Sequence, residues 1–333
     1  MDWFEALTGF RERSYEATKR SFTLDGSRLC SVANQRSCAI GSLETPSLKE
    51  LRSRAAGVVG RCAGRLAVTG ISGDIREIHR DASCANALFQ VASQFNLLEM
   101  TGPDVSPEHG VTRYQDDHTQ GPACAIAAGA ATIYRNYFAP VDGLTGQTRE
   151  RQIDCLRDVG ASLGNADGAL WRMRNGYALC SEAGLARIDR KLRELGASGT
   201  ADLRDQLRIG LHWSVEATES RSPNHRVSQA FCSALPVSYT DVPAPRWQAF
   251  ASLVLEGAYE ATLWAAALNA ELHGSRTVFL TRLGGGAFGN KTDWIDAAMR
   301  RALGKVEGVG LDVRIVSRGA PDPELARLVQ AFQ

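Results

Sequence analysis

The stretch Leu283-Gly-Gly-Gly-Ala-Phe-Gly-Asn-Lys-Thr292 determines the fold expected for this chain. An apolar run typical of a strand, Thr277 to Thr281, leads into it, and a helical pattern from Trp294 to Leu303 leads out. A strand, a glycine loop and a helix together form a phosphate-binding unit. Glycines let backbone N–H groups approach an anion closely, and the helix N-terminus adds partial positive charge. The stretch therefore predicts a ligand that carries a diphosphate.

Two familiar phosphate-binding motifs partly fit this glycine loop. Gly284, Gly286 and Gly289 match the dinucleotide pattern G-x-G-x-x-G, whereas Asn290 is one residue too many for a P-loop. About forty residues follow the loop, which is room for one helix, one strand and one further helix. A dinucleotide fold opens with this unit and then needs more strands, and a P-loop fold needs a later acidic strand. A tight strand–helix turn without a ligand is the remaining alternative.

The composition is that of an ordinary globular protein. The chain has 333 residues, 38 Lys+Arg, 37 Asp+Glu and a formal net charge of +1, which gives no reason to expect nucleic-acid or membrane binding. Its eight cysteines are scattered, without a C-x-x-C pair. This pattern indicates free buried thiols in a reducing compartment. The start Met1-Asp-Trp-Phe-Glu5 is acidic where a signal peptide is basic, so we expect a cytoplasmic protein. No zinc-ligand spacing is present, and no metal or cofactor is expected.

Residues 1–50 are predicted to be an N-terminal extension that packs on the core, with a helix near Phe4 to Arg20. From residue 51 to 333, helical and strand patterns alternate, which predicts an α/β domain with a mixed sheet covered on both faces. The expected strands are 65–69, 87–92, 177–180, 207–215, 227–234, 277–281 and 311–316. The expected helices are 51–63, 123–137, 148–163, 182–195, 246–272, 294–303 and a short terminal one, and an alternating apolar segment covers 75–79.

Two further loops are placed to meet the glycine loop. Asp74 follows one predicted strand, and Asn96 follows the next. Ligands of open α/β sheets bind outside the carboxyl ends of the strands, so the three loops are expected to converge. Asp74 is suited to accept a hydrogen bond from an adenine amino group, and Asn96 to bond a ribose hydroxyl. With the diphosphate on the glycine loop, these parts describe an ADP-ribose site.

At these residues the chain resembles the macrodomain family, and within it the poly(ADP-ribose) glycohydrolase-like branch. Gly73-Asp-Ile75 is similar to the macrodomain G-D-I turn, and Phe89-Gln-Val-Ala-Ser-Gln-Phe-Asn96 to the strand and asparagine loop that follows. Gly284-Gly-Gly-Ala-Phe-Gly289 is similar to the G-C-G-A-F-G loop of the glycohydrolase branch. The resemblance frames roughly residues 60–320 and implies a three-layer α/β/α sandwich with additional helices. The ADP-ribose-binding residues that it implies are Asp74, Ile75, Gln94, Phe95, Asn96, Gly284, Gly285, Gly286, Ala287, Phe288, Gly289 and Asn290.

The chain departs from the branch at its catalytic loop. Leu97-Leu-Glu-Met-Thr-Gly102 stands where the family has a glycine run followed by Gln-Glu-Glu, so the family's catalytic glutamate has no match residue by residue. In this respect the chain is more similar to divergent hydrolases that remove single ADP-ribose groups from arginine. The loop up to Pro122 offers five carboxylates: Glu99, Asp104, Glu108, Asp116 and Asp117. We predict Asp117, with Asp116 second, because a helix N-terminus keeps a carboxylate ionised. Capping of that helix is the alternative.

The resemblance implies an ADP-ribosylhydrolase that cleaves the glycosidic bond between the distal ribose and a protein side chain. Its expected partner is ADP-ribose on a protein, with modified ubiquitin and other arginine-modified proteins as candidates. Two alternatives stay open: a noncatalytic ADP-ribose reader, and a hydrolase of a free nucleotide of the ADP-ribose type.

Overall fold

The computed structural model describes residues 1–319 and 323–333. The helices are α1 (Trp3–Thr8), α2 (Tyr15–Arg20), α3 (Leu48–Ala56), α4 (Ile75–Arg80), α5 (Gln120–Ala127), α6 (Gly129–Tyr137), α7 (Arg157–Leu163), α8 (Glu182–Arg204), α9 (Gln248–His273), α10 (Thr292–Lys305) and α11 (Pro323–Gln330). The strands are β1 (Phe22–Asp25), β2 (Arg28–Ser31), β3 (Ser37–Ala39), β4 (Ser42–Glu44), β5 (Ala67–Ser72), β6 (Leu88–Ala92), β7 (Pro140–Val141), β8 (Leu144–Thr145), β9 (Trp171–Arg174), β10 (Tyr177–Cys180), β11 (Gly210–Glu216), β12 (Arg226–Cys232), β13 (Thr277–Leu280) and β14 (Asp312–Ser317).

The centre of the fold is a mixed seven-stranded sheet in the order β4-β11-β12-β6-β13-β14-β5. The strands from β12 to β5 run parallel to one another, whereas β11 is antiparallel to both of its neighbours. Consecutive residues of β6 face opposite layers: Phe89 stacks on His79 of α4, and Gln90 bonds Thr262 of α9. Helices therefore cover both faces, which confirms the predicted three-layer α/β/α sandwich.

Residues 1–41 form a small unit, here called the N-terminal module. It holds α1, α2 and the antiparallel sheet β1-β2-β3, where a single helix near Phe4 to Arg20 was expected. Its apolar side chains, including Phe4 and Phe22, join Val111, Tyr114 and Ile133 in a second core cluster beside the main one. The next strand, β4, lies within the first fifty residues and pairs with β11 at the edge of the main sheet.

The helix predicted over 123–137 is in fact two helices, because the chain breaks at Ala128 (φ −114°, ψ 54°). The amide of Gly129 donates to Thr218 Oγ1 at 3.0 Å instead of to a helical carbonyl. A Cβ on Gly129 would come within 2.8 Å of both Trp3 and Leu7, so the N-terminal module packs directly on the break.

The helix predicted over 148–163 is present only from Arg157 to Leu163. Before Arg157, backbone amides donate to acceptors other than the helical i−4 carbonyls. The amide of Ile153 donates to Gln147 Oε1, and that of Cys155 donates to the carbonyl of Phe95. The alternating segment 75–79 is the helix α4, started by Asp74 as its N-cap. The remaining expected strands and helices are present with shifted ends, and 177–180 pairs with β9 in a hairpin apart from the main sheet.

None of the helices in the described ranges combines the length and apolar character that crossing a bilayer requires. The long apolar helix α9 is instead the buried packing helix of one layer, in contact with α3, α8 and α10.

Candidate active site

A cleft opens at the carboxyl ends of the five parallel strands, where the glycine loop, the loop after β5 and the loop after β6 meet. Its volume is about 350 Å³, within the range of small-molecule sites. The predicted convergence of the three loops is therefore present. The lining residues are Gly73, Ile75, Ala92, Ser93, Gln94, Glu99, Met100, Thr101, Asp117, His118, Thr119, Gln120, Pro122, Tyr177, Ala234, Tyr239, Thr281, Arg282, Leu283, Gly284, Gly286, Ala287, Phe288, Val316 and Arg318.

The glycine loop is a compact turn between β13 and α10. The amide of Asn290 donates to the carbonyl of Gly284 at 3.0 Å, and Asn290 Nδ2 donates to the carbonyl of Leu235 at 2.8 Å. Gly284 and Gly289 both have left-handed backbones (φ +72° and +73°), which glycine adopts without strain. A Cβ on Gly289 would lie 1.9 Å from Ser238 Oγ. These two glycines close the loop against the segment after β12.

The tip of the loop presents donors to the cleft. Within the described residues, the amides of Gly286, Ala287 and Phe288 have no acceptor in the protein, and Gly286 has open space around its Cα. Arg282 and Arg318 line the same end of the cleft, and Arg282 also bonds Asp296 at 3.0 Å. Bare amides beside guanidinium groups form a site for an anion. Of the predicted loop residues, Gly285, Gly289 and Asn290 do not line the cleft, and the bonds of Asn290 close the loop.

The G-D-I turn borders the cleft through its outer two residues. Gly73 and Ile75 line it, while the exposed Asp74 accepts the amide of Arg76 at Oδ1 (2.8 Å) and so caps α4. Asp74 itself is not among the residues that line the cleft, and its binding of adenine stays a prediction.

The Phe89–Asn96 segment contributes less to the cleft surface than predicted. Gln94 lines the cleft, but its amide group spans the loop, accepting from Met100 N at 2.7 Å. Phe95 is a core residue that is 2% exposed. Asn96 is fully buried, receives the amide of Leu98 at Oδ1 (3.1 Å) and donates to Gln152 Oε1 (2.8 Å). The predicted bond from Asn96 to a ribose is wrong for this structure, because both ends of its side chain hold the loop.

Glu99 is the carboxylate that faces the cleft from the interior. The residue is 3% exposed, and its Oε1 has no hydrogen-bond partner in the described part of the chain. Burial raises the pKa of Glu99 well above its usual value; Arg135 opposes this shift, and Asp117 adds to it. A raised pKa favours the protonated form of the carboxyl group, and a protonated carboxyl group on the wall of a cleft is suited to donate a proton.

The backbone around Glu99 is fixed by buried groups. Its amide donates to Tyr114 Oη at 3.1 Å, and the carbonyl of Leu97 accepts from Arg135 Nε at 3.1 Å. Leu97 has an unusual left-handed backbone (φ +64°), which the surrounding bonds maintain. Arg135 is itself fully buried and lies 3.9 Å from the ring centre of Phe231, and burial lowers its pKa to about 10. This framework holds the Glu99 side chain at the cleft wall.

The two aspartates predicted as catalytic lie in different environments. Asp117 lines the cleft and is half-buried, with Oδ1 accepting the amide of Thr119 at 2.8 Å. Asp116 is exposed and does not line the cleft, since it ends a 3-10 helix (Thr112–Asp116) that directs it to solvent. The choice of Asp116 is therefore corrected, whereas Asp117 stays a candidate beside Glu99.

An aromatic cluster that was not predicted as a unit forms another wall. Tyr177, Tyr239 and Phe288 have ring centres 5.1 to 5.5 Å apart and all line the cleft. Tyr239 ends the 3-10 helix Val237–Tyr239, which follows β12. Tyr177 comes from the hairpin β9-β10, far from Glu99 in the sequence.

The sequence does contain a signal that could have identified Glu99 as a site residue. Glu99 is a lone carboxylate between Leu98 and Met100 in an apolar run, where a charged residue is unusual.

The comparisons with known proteins find similar structures only. No protein-family model matches the sequence, and no curated protein matches it. The poly(ADP-ribose) glycohydrolase from Thermomonospora curvata is 14% identical, with 99% of each chain covered and a TM-score of 0.49. The same enzyme bound to the inhibitor ADP-HPD is 15% identical, with 99% of each chain covered and a TM-score of 0.47. The Deinococcus radiodurans enzyme in complex with ADP-ribose is 11% identical, covers 87% of this chain and 95% of its own, and has a TM-score of 0.46.

Proposed function

We propose that this protein is an ADP-ribosylhydrolase that cleaves the glycosidic bond between the distal ribose of ADP-ribose and a protein side chain, with arginine as the expected side chain. The observation that carries the proposal is Glu99, a buried carboxyl group on the wall of a cleft that also holds an anion site; within the described residues, one of its oxygens has no partner. A binding protein has no need of a carboxyl group with a raised pKa at this position, whereas a glycosidic hydrolase does.

The anion site supports ADP-ribose as the ligand. The amides at the tip of the glycine loop, which have no acceptor among the described residues, and the arginines Arg282 and Arg318 would bind the diphosphate. The Gly73–Ile75 turn would border the adenosine, on one side of the diphosphate. The distal ribose would then extend toward Glu99 and the aromatic wall, where Tyr177 and Phe288 offer flat surfaces for a sugar ring.

In this arrangement Glu99 is the general acid. Its proton passes to the leaving atom as the bond from that atom to ribose C1 breaks, and C1 becomes oxocarbenium-like. Water then adds to C1, and the proton that it releases restores Glu99. The side chain leaves unmodified, and ADP-ribose leaves with a new hydroxyl group at C1. No step consumes another reactant.

Asp117 supports arginine as the side chain. Its carboxylate lines the same cleft as Glu99 and belongs to a loop at the rim. A carboxylate is the natural partner of a guanidinium group and would hold the leaving arginine beside the acid. The same negative charge would stabilise positive charge developing on the ribose.

The test measures release of ADP-ribose from proteins modified on arginine, on acidic residues or on serine, and from poly(ADP-ribose). We expect release from arginine, and loss of release in Glu99→Gln with the affinity for ADP-ribose retained in calorimetric titration. Asp104→Asn is the matched control, because Asp104 is a loop carboxylate that is 75% exposed and pairs with Arg174.

Each alternative gives a different result in the same experiment. A reader binds ADP-ribose and releases nothing, with or without Glu99. A nucleotide hydrolase acts on free ADP-ribose phosphate or NAD and leaves modified protein untouched. Tight binding of ATP without binding of ADP-ribose overturns the assignment altogether.

A further inference from the structure

The carboxylate of Glu12 joins the N-terminal module to the segment Val111–Thr112, which stands behind the cleft wall. Glu12 Oε1 accepts the amide of Val111 at 2.8 Å and the hydroxyl of Tyr137 at 2.7 Å. Its Oε2 accepts the amides of Val111 and Thr112 at 2.9 and 2.7 Å. Both carboxylate oxygens are thus used, and they satisfy amides at the start of the 3-10 helix Thr112–Asp116, where a helix offers no acceptor of its own.

The backbone next to Glu12 is shaped to admit the carboxylate. Gly110 has a left-handed backbone (φ +79°), and a Cβ at this position would lie 2.4 Å from the Glu12 carboxylate. Trp3 of the same module donates from Nε1 to the carbonyl of Thr112 at 3.1 Å. Two side chains of the module therefore hold Thr112 from its amide and its carbonyl sides.

This anchored segment contacts Glu99 directly. Tyr114, two residues after Thr112, is 2% exposed, and its hydroxyl oxygen accepts the amide of Glu99 at 3.1 Å. Tyr114 also packs in the apolar cluster that the N-terminal module shares with the core. A continuous path of bonds runs from Glu12 to the 111–112 backbone, along the helix to Tyr114, and on to the backbone of Glu99.

We infer that Glu12 is a positioning residue, which acts through Tyr114 to hold Glu99 at the cleft wall. The inference rests on the proposed role of Glu99. Glu12 lies far from Glu99 in the sequence, and its hydrogen bonds go to Val111, Thr112 and Tyr137, which stand behind the cleft wall. Glu12 therefore affects the position of the Glu99 carboxyl group. A small misplacement of an acid relative to its substrate lowers the rate strongly.

The first experiment compares Glu12→Gln, Tyr114→Phe and the double variant. The carboxamide introduced by Glu12→Gln keeps one acceptor oxygen and loses the second, together with the charge. We expect kcat to fall on the order of tenfold in each single variant, a part of the 10²–10⁴-fold that a positioned acid contributes, while the KM changes little. The double variant should lose little more than either single variant, since both interrupt one path. Glu5→Gln is the control, because Glu5 lies in the same module and its carboxylate pairs with the exposed Arg11.

The second experiment does not need activity. Hydrogen exchange of the amides in residues 97–101 should become faster in Glu12→Gln and stay at the wild-type rate in Glu5→Gln. Unchanged exchange in Glu12→Gln overturns the inference, as does a wild-type kcat in that variant. If the wild-type protein releases no ADP-ribose from any substrate, the proposed function fails, and the exchange result still decides whether Glu12 holds the Glu99 loop.

Discussion

Gly121 and Glu99 lie in direct contact at the point where α5 begins. A Cβ on Gly121 would lie 2.2 Å from Glu99 Oε2 and 2.0 Å from the carbonyl oxygen of Ala92. The missing side chain is therefore what lets the carboxyl group fit between the strand end and the helix. The side chain of Gln120 fixes this approach, since its Oε1 accepts from Ala92 N and its Nε2 donates to the carbonyl of Gln90.

Gly121→Ala should therefore damage both stability and catalysis. The added methyl group meets a backbone oxygen and the carboxyl group, neither of which can move freely, so we expect the free energy of unfolding to fall by about 1–3 kcal/mol and kcat to fall with it. Gly102→Ala is the matched control, because no atom of the described residues lies within 4 Å of a Cβ there. Urea denaturation and the ADP-ribose release assay measure the two effects. Wild-type behaviour of Gly121→Ala would show that Glu99 is not confined here.

Glu99→Gln should change the pH dependence of stability. The pKa of Glu99 is raised in the folded protein above its unfolded value, so between these two values the folded state binds more protons than the unfolded state. The wild-type protein therefore loses stability as the pH rises from about 4.5 through the raised pKa, at about 1.4 kcal/mol per pH unit within that window. Glutamine does not titrate, so the stability of Glu99→Gln relative to wild type should increase with pH and then level off.

The measurement is urea denaturation of both proteins at several pH values from 5 to 8. Subtracting one curve from the other removes the titrating groups that do not interact with Glu99, and any constant effect of the buried amide. A difference that stays flat across this range would mean that Glu99 is ionised in the folded protein, and its role as general acid would be lost.

Much of the cleft follows from local sequence signals. A strand was predicted at 277–281 and a helix at 294–303, and the structure has Thr277–Leu280 and Thr292–Lys305. Both elements are set by a few neighbouring residues. The order of the three loops along the chain likewise placed them at one edge of the sheet, because carboxyl ends of parallel strands share that edge.

The departures arise from contacts that a local pattern does not contain. Asn96 is turned inward by Gln147 and Gln152, which belong to a distant part of the sequence. At the break between α5 and α6, Gly129 packs against Trp3 and Leu7 of the N-terminal module and donates its amide to Thr218. Asp116 and Asp117 are adjacent in sequence, and only the end of the 3-10 helix separates their environments.

Gly286 offers a clean test of the anion site. No atom in the described ranges lies within 4 Å of a Cβ at this position, and its backbone is not left-handed, so Gly286→Ala should fold and bind ADP-ribose nearly as the wild type does. Gly286→Glu places a negative charge beside the expected diphosphate, and repulsion should reduce the affinity by at least about tenfold. Calorimetric titration with ADP-ribose compares the two variants. Equal affinities would remove the glycine loop from the site.

Asp117→Asn tests how the charge of Asp117 affects Glu99, the other carboxyl group that lines the cleft. Burial is the main cause of the raised pKa of Glu99, and the negative charge of Asp117 raises it further. Removing that charge should lower the pKa of Glu99. Because the acid must be protonated to act, the alkaline limb of the kcat profile should move to lower pH in this variant, while the affinity for ADP-ribose is retained. We also expect a lower kcat on arginine-linked substrate, whose guanidinium group loses a partner.

Asp104→Asn is the control for this variant. It removes a charge from the same loop at an exposed position, so its pH profile of kcat should follow that of the wild type. A limb that stays in place in Asp117→Asn would mean that its charge does not act on Glu99, and a limb that moves upward would contradict the acid role.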